Sequence, residues 1–132
     1  MPALTFPYKR LGPHYAPVVP VALFGRSLSA QTEAYVDSGA FASIFRLGLL
    51  AALGLRKEDG RVETFTVGDG GRLKAYAFRL PVQIGPLRFV ARATFSNELR
   101  IGFNLLGRQT IFDRFDEIAF NERARQVIFR FD

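Results

Sequence analysis

The chain has 132 residues, of which 48% are hydrophobic and 14 are Phe, and this predicts one globular domain, residues 1–132, with a substantial core. It contains no cysteine, which excludes disulfides, zinc–thiolate sites and thiol nucleophiles and favours a reducing, cytoplasmic compartment. The net charge is +6, but the basic residues are scattered, so we expect no nucleic-acid partner. No apolar run reaches the ~18 residues of a membrane-spanning helix, and the N-terminus lacks signal-peptide features, so we expect no membrane association.

The N-terminal third of the chain predicts an extended arm followed by a β-hairpin. Residues 1–17 contain four prolines, which favour an extended conformation over a helix. Val18–Phe24 has the pattern of an apolar strand, residues 25–26 are typical of a turn, and residues 28–36 predict the returning strand. This second strand ends directly before a loop at residues 37–43.

The middle of the chain predicts a short helix and a second hairpin. Residues 46–53 carry leucines at helical spacing, with Ser43 as a candidate N-cap and Gly54 as the stop signal. Beyond them, residues 61–67 and 72–84 predict two strands joined by a glycine-rich tip. The tip consists of Gly68, Asp69, Gly70 and Gly71.

The C-terminal third predicts further strands around one helical turn. Residues 87–95 predict a strand, residues 104–106 a short buried strand, and residues 107–113 a helical turn. Residues 115–121 and 126–131 predict a closing hairpin. The pattern as a whole predicts a mainly β chain with one or two short helices.

Two short segments point to a particular chemistry. They are Asp37-Ser38-Gly39-Ala40 and Leu105-Leu106-Gly107-Arg108. Asp-Ser-Gly alone is typical of an ordinary turn. Here it follows an apolar strand, and the two segments occur in an order that resembles the retropepsin-like aspartic proteases, in particular the bacterial single-domain members. The short helix after the first segment also resembles the bacterial members more than the minimal viral ones.

The resemblance implies a closed-barrel acid-protease fold and a homodimeric aspartic endopeptidase that cleaves extended segments of a peptide or protein substrate. An aspartic protease needs two carboxylates that share one proton. Asp-Ser-Gly occurs once in this chain, so the resemblance implies that two copies pair their Asp37 side chains. Ser38 is implied to brace the two paired loops, and Gly39 to allow a tight turn. The resemblance implies no cofactor and no metal ion.

The resemblance also implies which residues bind substrate and which support the site. The backbone of Ala40 is expected to contact the substrate, and the tip at residues 68–71 to close over it as a flap. An ordinary surface hairpin is an equally good interpretation of that tip. Leu106, Gly107 and Arg108 are expected to support the catalytic loop from beneath.

One part of the sequence departs from the viral pattern. Phe41 and Ala42 stand where the viral proteases often have two acidic residues, the first of which pairs with the Arg of the Gly-Arg motif. Arg108 lacks that partner here. We therefore expect it to pair with Asp113 or Asp116, or with backbone carbonyl groups.

The last part of the chain leaves several interpretations open. Asp113, Asp116 and Glu117 are interrupted by other residues, which favours a solvated surface over a cation site. The strand at residues 126–131 either pairs across a dimer or is an internal strand capped by the N-terminal arm. The aromatic residues expected in the core or in a dimer interface are Phe112, Phe115, Phe120, Phe129 and Phe131.

Other functions have weaker support in the sequence. The only histidine, His14, lies in the proline-rich arm, which disfavours a serine nucleophile with a histidine base and a catalytic zinc site. A noncatalytic peptide-binding or dimerisation module on the same fold, with a structural Asp37, is the main alternative and is motivated by the missing acidic pair. A basic β-barrel that binds nucleic acid is a weaker one, because no aromatic and basic platform is evident.

Overall fold

The computed structural model describes residues 2–66 and 70–132, and within these ranges the chain forms twelve strands, one short α-helix and two 3-10 turns. The strands are β1 (Ala3–Pro7), β2 (Lys9–Leu11), β3 (His14–Ala16), β4 (Val18–Phe24), β5 (Ser29–Val36), β6 (Ile44–Arg46), β7 (Arg61–Thr66), β8 (Arg72–Ile84), β9 (Leu87–Ser96), β10 (Asn104–Leu106), β11 (Glu117–Asn121) and β12 (Gln126–Arg130). The helix α1 is Leu49–Ala52, and the 3-10 turns are Lys57–Asp59 and Phe112–Arg114. In the ranges described, the helices are all too short to span a membrane.

The largest sheet has seven strands in the order β4-β5-β10-β6-β9-β8-β7. Its long strand β8 alternates exposed or half-buried residues with buried ones along most of its length, because side chains at even spacing share one face of a strand. The first strand, β4, also pairs with β8 through Ala22↔Gln83 and Leu23↔Val82, so the sheet curls back toward its own start. A mainly β chain with few helices is therefore confirmed. Closure into a barrel stays a prediction, which this second pairing of β4 supports.

A short strand at the centre of this sheet brings the two sequence motifs together. β10 pairs in parallel with β5, with Leu106 opposite Val36, and antiparallel with β6, with Leu105 opposite Ile44. Because β10 and β5 run in the same direction, both end at the same edge of the sheet. The residues that follow them, Asp37 and Gly107, therefore enter the same region.

The second sheet has three strands in the order β1-β12-β11. β12 pairs with β1 along one edge and with β11 along the other, through the same five residues, Gln126–Arg130. Both hydrogen-bonding edges of β12 are thus filled within one chain. Pairing of this strand across a dimer is therefore wrong, and its other interpretation, an internal strand capped by the proline-rich arm, is the one observed.

The arm is attached to the hairpin β11–β12 through Tyr8. Its side chain is buried, its backbone N–H donates to the carbonyl oxygen of Arg125 at 2.7 Å, and its hydroxyl donates to Glu122 Oε1 at 2.9 Å. Burial, and then the hydrogen bond to the Glu122 carboxylate, raise the pKa of Tyr8 to about 12. Both effects disfavour the phenolate, so the neutral hydroxyl holds the arm in place.

The core lies between the sheets and is dominated by large apolar side chains. Phe45, Phe95 and Phe129 are its largest fully buried members. The Phe115 ring lies 6.2 Å from that of Phe89 on β9 and 4.9 Å from that of Phe129 on β12, between ring centroids, so the two sheets share one apolar core. Phe115 is also buried, whereas Phe120 is 37% exposed and does not contribute to the core.

The predicted helix over residues 46–53 is shorter than expected. Ile44–Arg46 is strand β6, because Ile44 and Phe45 are buried between β10 and β9, and only Leu49–Ala52 is helical. The prediction of Ser43 as an N-cap was wrong, since Gly48 occupies that position without a side-chain hydrogen bond. Gly54 ends the helix as predicted, with φ of 69°, a conformation that favours glycine.

Candidate active site

The loop that begins at Asp37 is held by its own backbone and by β10. The N–H of Asp37 donates to the carbonyl oxygen of Leu106 at 3.0 Å, which continues the β5–β10 pairing by one residue. The Asp37 carboxylate accepts the N–H of Gly39 through Oδ1 at 2.8 Å, and the Asp37 carbonyl accepts the N–H of Ala40 at 3.2 Å. These bonds form a tight turn that fixes the carboxylate while leaving it half-buried.

Gly107 passes directly beneath this loop. A Cβ atom at this position would lie 2.5 Å from the carbonyl carbon of Ala42 and 2.9 Å from the carbonyl oxygen of Phe41, so the crossing has no room for a side chain. The next two N–H groups bond upward to the loop: Arg108 N–H donates to the carbonyl of Ala40 at 3.0 Å, and Gln109 N–H donates to that of Phe41 at 2.7 Å. The second motif therefore supports the first through backbone contact.

Ser43 completes this crossing, although the sequence predicted it to be a helix N-cap. Its side chain is buried, and its Oγ accepts the N–H of Gly107 at 2.9 Å. A buried N–H without a partner is costly, and this hydroxyl satisfies that of Gly107. The available signal was its position as a lone hydroxyl residue in the apolar run of residues 40–45.

The turn after Gly107 is fixed to the main sheet by Thr110. This residue has φ of 61°, which is unusual for a β-branched side chain. Its Oγ1 accepts the N–H of Arg92 on β9 at 2.7 Å. The Arg92 guanidinium forms an ion pair with Glu63 on β7, in which both side chains are 24% exposed. The loop beneath Asp37 is thus linked, through Arg92, to the hairpin β7–β8.

A cleft of about 610 Å³ opens beside Asp37. It lies between the Asp37 loop, the hairpin β7–β8 and residues 98–101. Its volume is in the range of natural ligand sites, and its walls are mainly apolar. The large apolar side chains that line it are Phe41, Ile44, Phe65, Leu73, Leu99, Ile101 and Leu105.

Charged residues also line the cleft. Arg72 and Arg100 contribute to its lining, as does Glu98. The Glu98 carboxylate accepts the N–H of Lys74 on β8 through Oε1 at 3.0 Å, and its N–H donates to Ser96 Oγ at 3.0 Å. The first of these bonds attaches Glu98, and with it one wall of the cleft, to strand β8.

Four of the eleven sequence-predicted site residues line this cleft. Asp37, Gly39, Ala40 and Gly71 line it, whereas Ser38 is exposed at the tip of the loop. Gly70 precedes Gly71 with φ of 84°, a conformation that favours glycine. The predictions for Gly68 and Asp69 concern residues outside the described ranges.

The residues beneath the cleft differ in their roles. Leu106 is fully buried, and the Arg108 side chain is exposed. Across residues 2–66 and 70–132, no carboxylate forms an ion pair with Arg108, so its predicted pairing with Asp113 or Asp116 was wrong. Arg108 and Asp113 interact through their backbones, because the N–H of Asp113 donates to the carbonyl oxygen of Arg108 at 3.3 Å.

The acidic residues near the C-terminus are exposed. Asp113, Asp116 and Glu117 lie at the surface, and Glu117 accepts a hydrogen bond from Arg130 Nε at 2.8 Å. Among the described residues, no three histidine, aspartate or glutamate side chains are close enough to hold a metal ion. The cleft presents two held carboxylates, those of Asp37 and Glu98, in a mainly apolar groove.

Comparison with known proteins extends the resemblance to the whole backbone. No protein-family model matches the sequence, and no curated protein matches it. The structure is similar to that of a retropepsin-like aspartic protease from Rickettsia conorii, with a TM-score of 0.72 and 18% identical residues, over 98% of this chain and 99% of that chain. The retropepsin-like resemblance is confirmed at the level of the fold.

Proposed function

We propose that the protein is an aspartic-type endopeptidase that acts as a homodimer, with water activated by two Asp37 carboxylates. The observation that carries this proposal is the crossing beneath the cleft, where Gly107 supports a loop that presents Asp37 to an apolar groove. A turn that served only to connect two strands has no need of a second segment fixed beneath it. The retropepsin-like fold agrees with this assignment.

The proposed reaction needs a second carboxylate close to the first. Two carboxylates about 3 Å apart cannot both ionise, so one stays protonated while the other is a base. The ionised Asp37 removes a proton from water, and the resulting oxygen bonds to the peptide carbonyl carbon. The protonated Asp37 gives its proton to the carbonyl oxygen, and the C–N bond then breaks as a proton passes to the leaving nitrogen. The pair titrates as one unit.

The cleft suits an extended peptide as the substrate. An extended chain presents side chains alternately to two sides and its backbone groups to neighbouring strands. Phe65 and Leu73 of the hairpin β7–β8 face the groove from one side, and Leu99 and Ile101 face it from another. In this proposal the hairpin serves as the flap, and the backbone of Ala40 contacts the substrate.

The proposal also assigns a role to Ser38, closure to the sheet and a compartment to the chain. The exposed Ser38 braces the two loops where the copies meet, and the curled sheet closes as a barrel within one domain. The chain is assigned to the cytoplasm because it has no cysteine, which fits a reducing compartment.

Substitution of Asp37 by Asn tests the mechanism. The amide oxygen of Asn can still accept the N–H of Gly39, so the turn and the fold are retained, whereas the group can no longer exchange a proton. We expect cleavage of a mixed peptide library, assayed from acid to neutral pH, to fall by at least about a thousandfold. Undiminished cleavage by the purified Asp37→Asn variant would exclude Asp37 as the catalytic group.

A noncatalytic peptide-binding module is the second candidate. It is favoured by Phe41 and Ala42, which replace an acidic pair, and by the exposed Arg108, which has no ion-pair partner in the part of the chain described. In this case the wild-type protein binds peptides in the cleft and cleaves none of them. Asp37→Asn then leaves the peptide affinity unchanged within about twofold, since no proton transfer is lost.

A further inference from the structure

A second cavity, of about 600 Å³, shares no residue with the cleft in the ranges described. Its volume is also in the range of natural ligand sites. The charged residues that line it are Lys9, Glu33 and Arg46. The apolar residues that line it are Leu11, Val18, Pro20, Leu49 and Phe103. Phe103 is fixed by stacking on Tyr35, with ring centroids 4.9 Å apart, so part of the apolar wall is preformed.

The charges around this second cavity do not balance. Lys9 forms an ion pair with Glu33, in which both side chains are 47% exposed. Arg46 is exposed, and none of the ion pairs between described residues includes it. The carbonyl oxygen of Ile101 accepts from Arg46 Nη2 at 3.1 Å, but a guanidinium has five N–H groups, so donors remain for an anion. The excess charge is therefore positive and lies at Arg46.

Asn104 holds one wall of the second cavity in place. Its side chain is buried, and its Nδ2 donates to Thr32 Oγ1 at 3.0 Å and to the carbonyl oxygen of Glu33 at 2.8 Å. Its Oδ1 accepts the N–H of Arg46 at 2.9 Å. A ligand here meets a surface that is already ordered, which lowers the entropic cost of binding.

One continuous segment contributes to both cavities. Residues 98–101 line the cleft, and residues 102–104 line the second cavity. Arg46 is attached on both sides of this boundary, because its guanidinium donates to the Ile101 carbonyl and its backbone N–H donates to Asn104 Oδ1. A group that binds the Arg46 side chain therefore also acts on the wall of the cleft.

We propose that the second cavity binds a small organic carboxylate with an apolar body, and that this ligand acts on the cleft wall through Arg46. The carboxylate pairs with the remaining donors of Arg46, since the two planar groups match in geometry. The apolar body covers the wall that includes Leu49 and Phe103. A bound carboxylate restricts the exposed Arg46 side chain and so favours its hydrogen bond to Ile101. The inference goes beyond the proposed function, because neither the site nor its link to the cleft needs Asp37.

Titration of the isotope-labelled full chain with hexanoate, followed by NMR, tests the site. We expect hexanoate to bind with a Kd of about 1 mM and to shift the amide signals of residues 102–104. Hexanamide has the same apolar body without the charge, and we expect it to bind at least about tenfold more weakly. Equal affinity for the two compounds, or no shift at residues 102–104 up to about 20 mM hexanoate, would overturn the inference.

Matched variants test the role of the charges. Arg46→Gln should weaken hexanoate binding at least about tenfold, whereas Arg123→Gln, at an exposed turn position outside both cavities, should change it less than about twofold. Glu33→Gln removes the negative charge and should strengthen binding about threefold, a gain that misfolding does not produce. Equal effects of the two arginine substitutions, or weaker binding by Glu33→Gln, would refute the charge assignment.

The methyl signals of Leu99 test the link to the cleft. Leu99 lines the cleft but not the second cavity, and it packs against the cluster that includes Ile44 and Leu73. We expect saturating hexanoate to shift these signals in the wild-type chain, and the same concentration to leave them unchanged in Arg46→Gln. Bound hexanoate that shifts residues 102–104 and leaves Leu99 unchanged would overturn the link.

Discussion

Gly107 offers the sharpest test of how the site is built. In a Gly107→Ala variant the new Cβ would lie 2.5 Å from the carbonyl carbon of Ala42, whereas ordinary van der Waals contact begins at 3.4 Å. The two segments must therefore separate by about 1 Å, and both sides are backbone, which cannot rotate away. The separation weakens three hydrogen bonds, those from the N–H groups of residues 107–109 to Ser43, Ala40 and Phe41. With strain included, we expect a loss of about 3–5 kcal/mol in unfolding free energy.

Urea unfolding followed by circular dichroism measures this loss. Gly102→Ala is the matched control, because a Cβ there has nothing within 4 Å, and we expect it to change the stability by less than about 0.5 kcal/mol. Gly107→Ala is also expected to abolish cleavage, since the displaced loop carries Asp37. If Gly107→Ala unfolds within about 1 kcal/mol of the control, the crossing does not constrain the loop and the reasoning is refuted.

Three further predictions concern hydrogen bonds away from the Asp37 carboxylate. Between pH 10 and 12 the unfolding free energy should fall by about 2 kcal/mol more for wild type than for Tyr8→Phe. The reason is that the Tyr8 hydroxyl has a pKa of about 12 in the folded chain and 10.0 in the unfolded chain, so only the unfolded chain ionises readily in this range. Equal pH profiles of the two proteins in urea titrations would contradict this. Ser43→Ala leaves the Gly107 N–H buried without an acceptor and should cost about 1–3 kcal/mol in urea unfolding, whereas Ser38→Ala, at an exposed position, should cost less than about 0.5 kcal/mol. Thr110→Val removes the hydroxyl at constant shape and should lower the unfolding free energy by about 1–3 kcal/mol. Thr110→Ser retains the hydrogen bond and should stay within about 1 kcal/mol of wild type. Similar losses for both variants would assign the effect to backbone conformation.

The strands were predictable because they depend on local patterns, and the site core was predictable because two short motifs resemble those of a known family. Alternation in residues 72–84 and the apolar run at Val18–Phe24 gave strands close to those observed. The placement of Asp37 over Gly107 followed from the resemblance of two short motifs, and the structure supports it with backbone contacts. These features are specified by residues near one another in sequence or by glycine at a position that excludes all other side chains.

The features that could not be predicted depend on contacts between distant segments. Ser43 has the residue type and position of a helix cap, and only the arrival of Gly107, 64 residues later, makes it a buried acceptor. Residues 44–46 carry part of a helical pattern, but pairing with β9 and β10 overrides that local preference. The role of β12 as a central strand depends on β1, more than a hundred residues earlier.

The most direct test of the central claim is a mixing experiment with wild-type and Asp37→Asn chains at constant total concentration. If each active site needs two Asp37 carboxylates, cleavage falls with the square of the wild-type fraction, and an equal mixture retains about a quarter of the activity. Activity that falls in direct proportion, to about half in the equal mixture, would show that one chain is sufficient and contradict the paired-carboxylate mechanism.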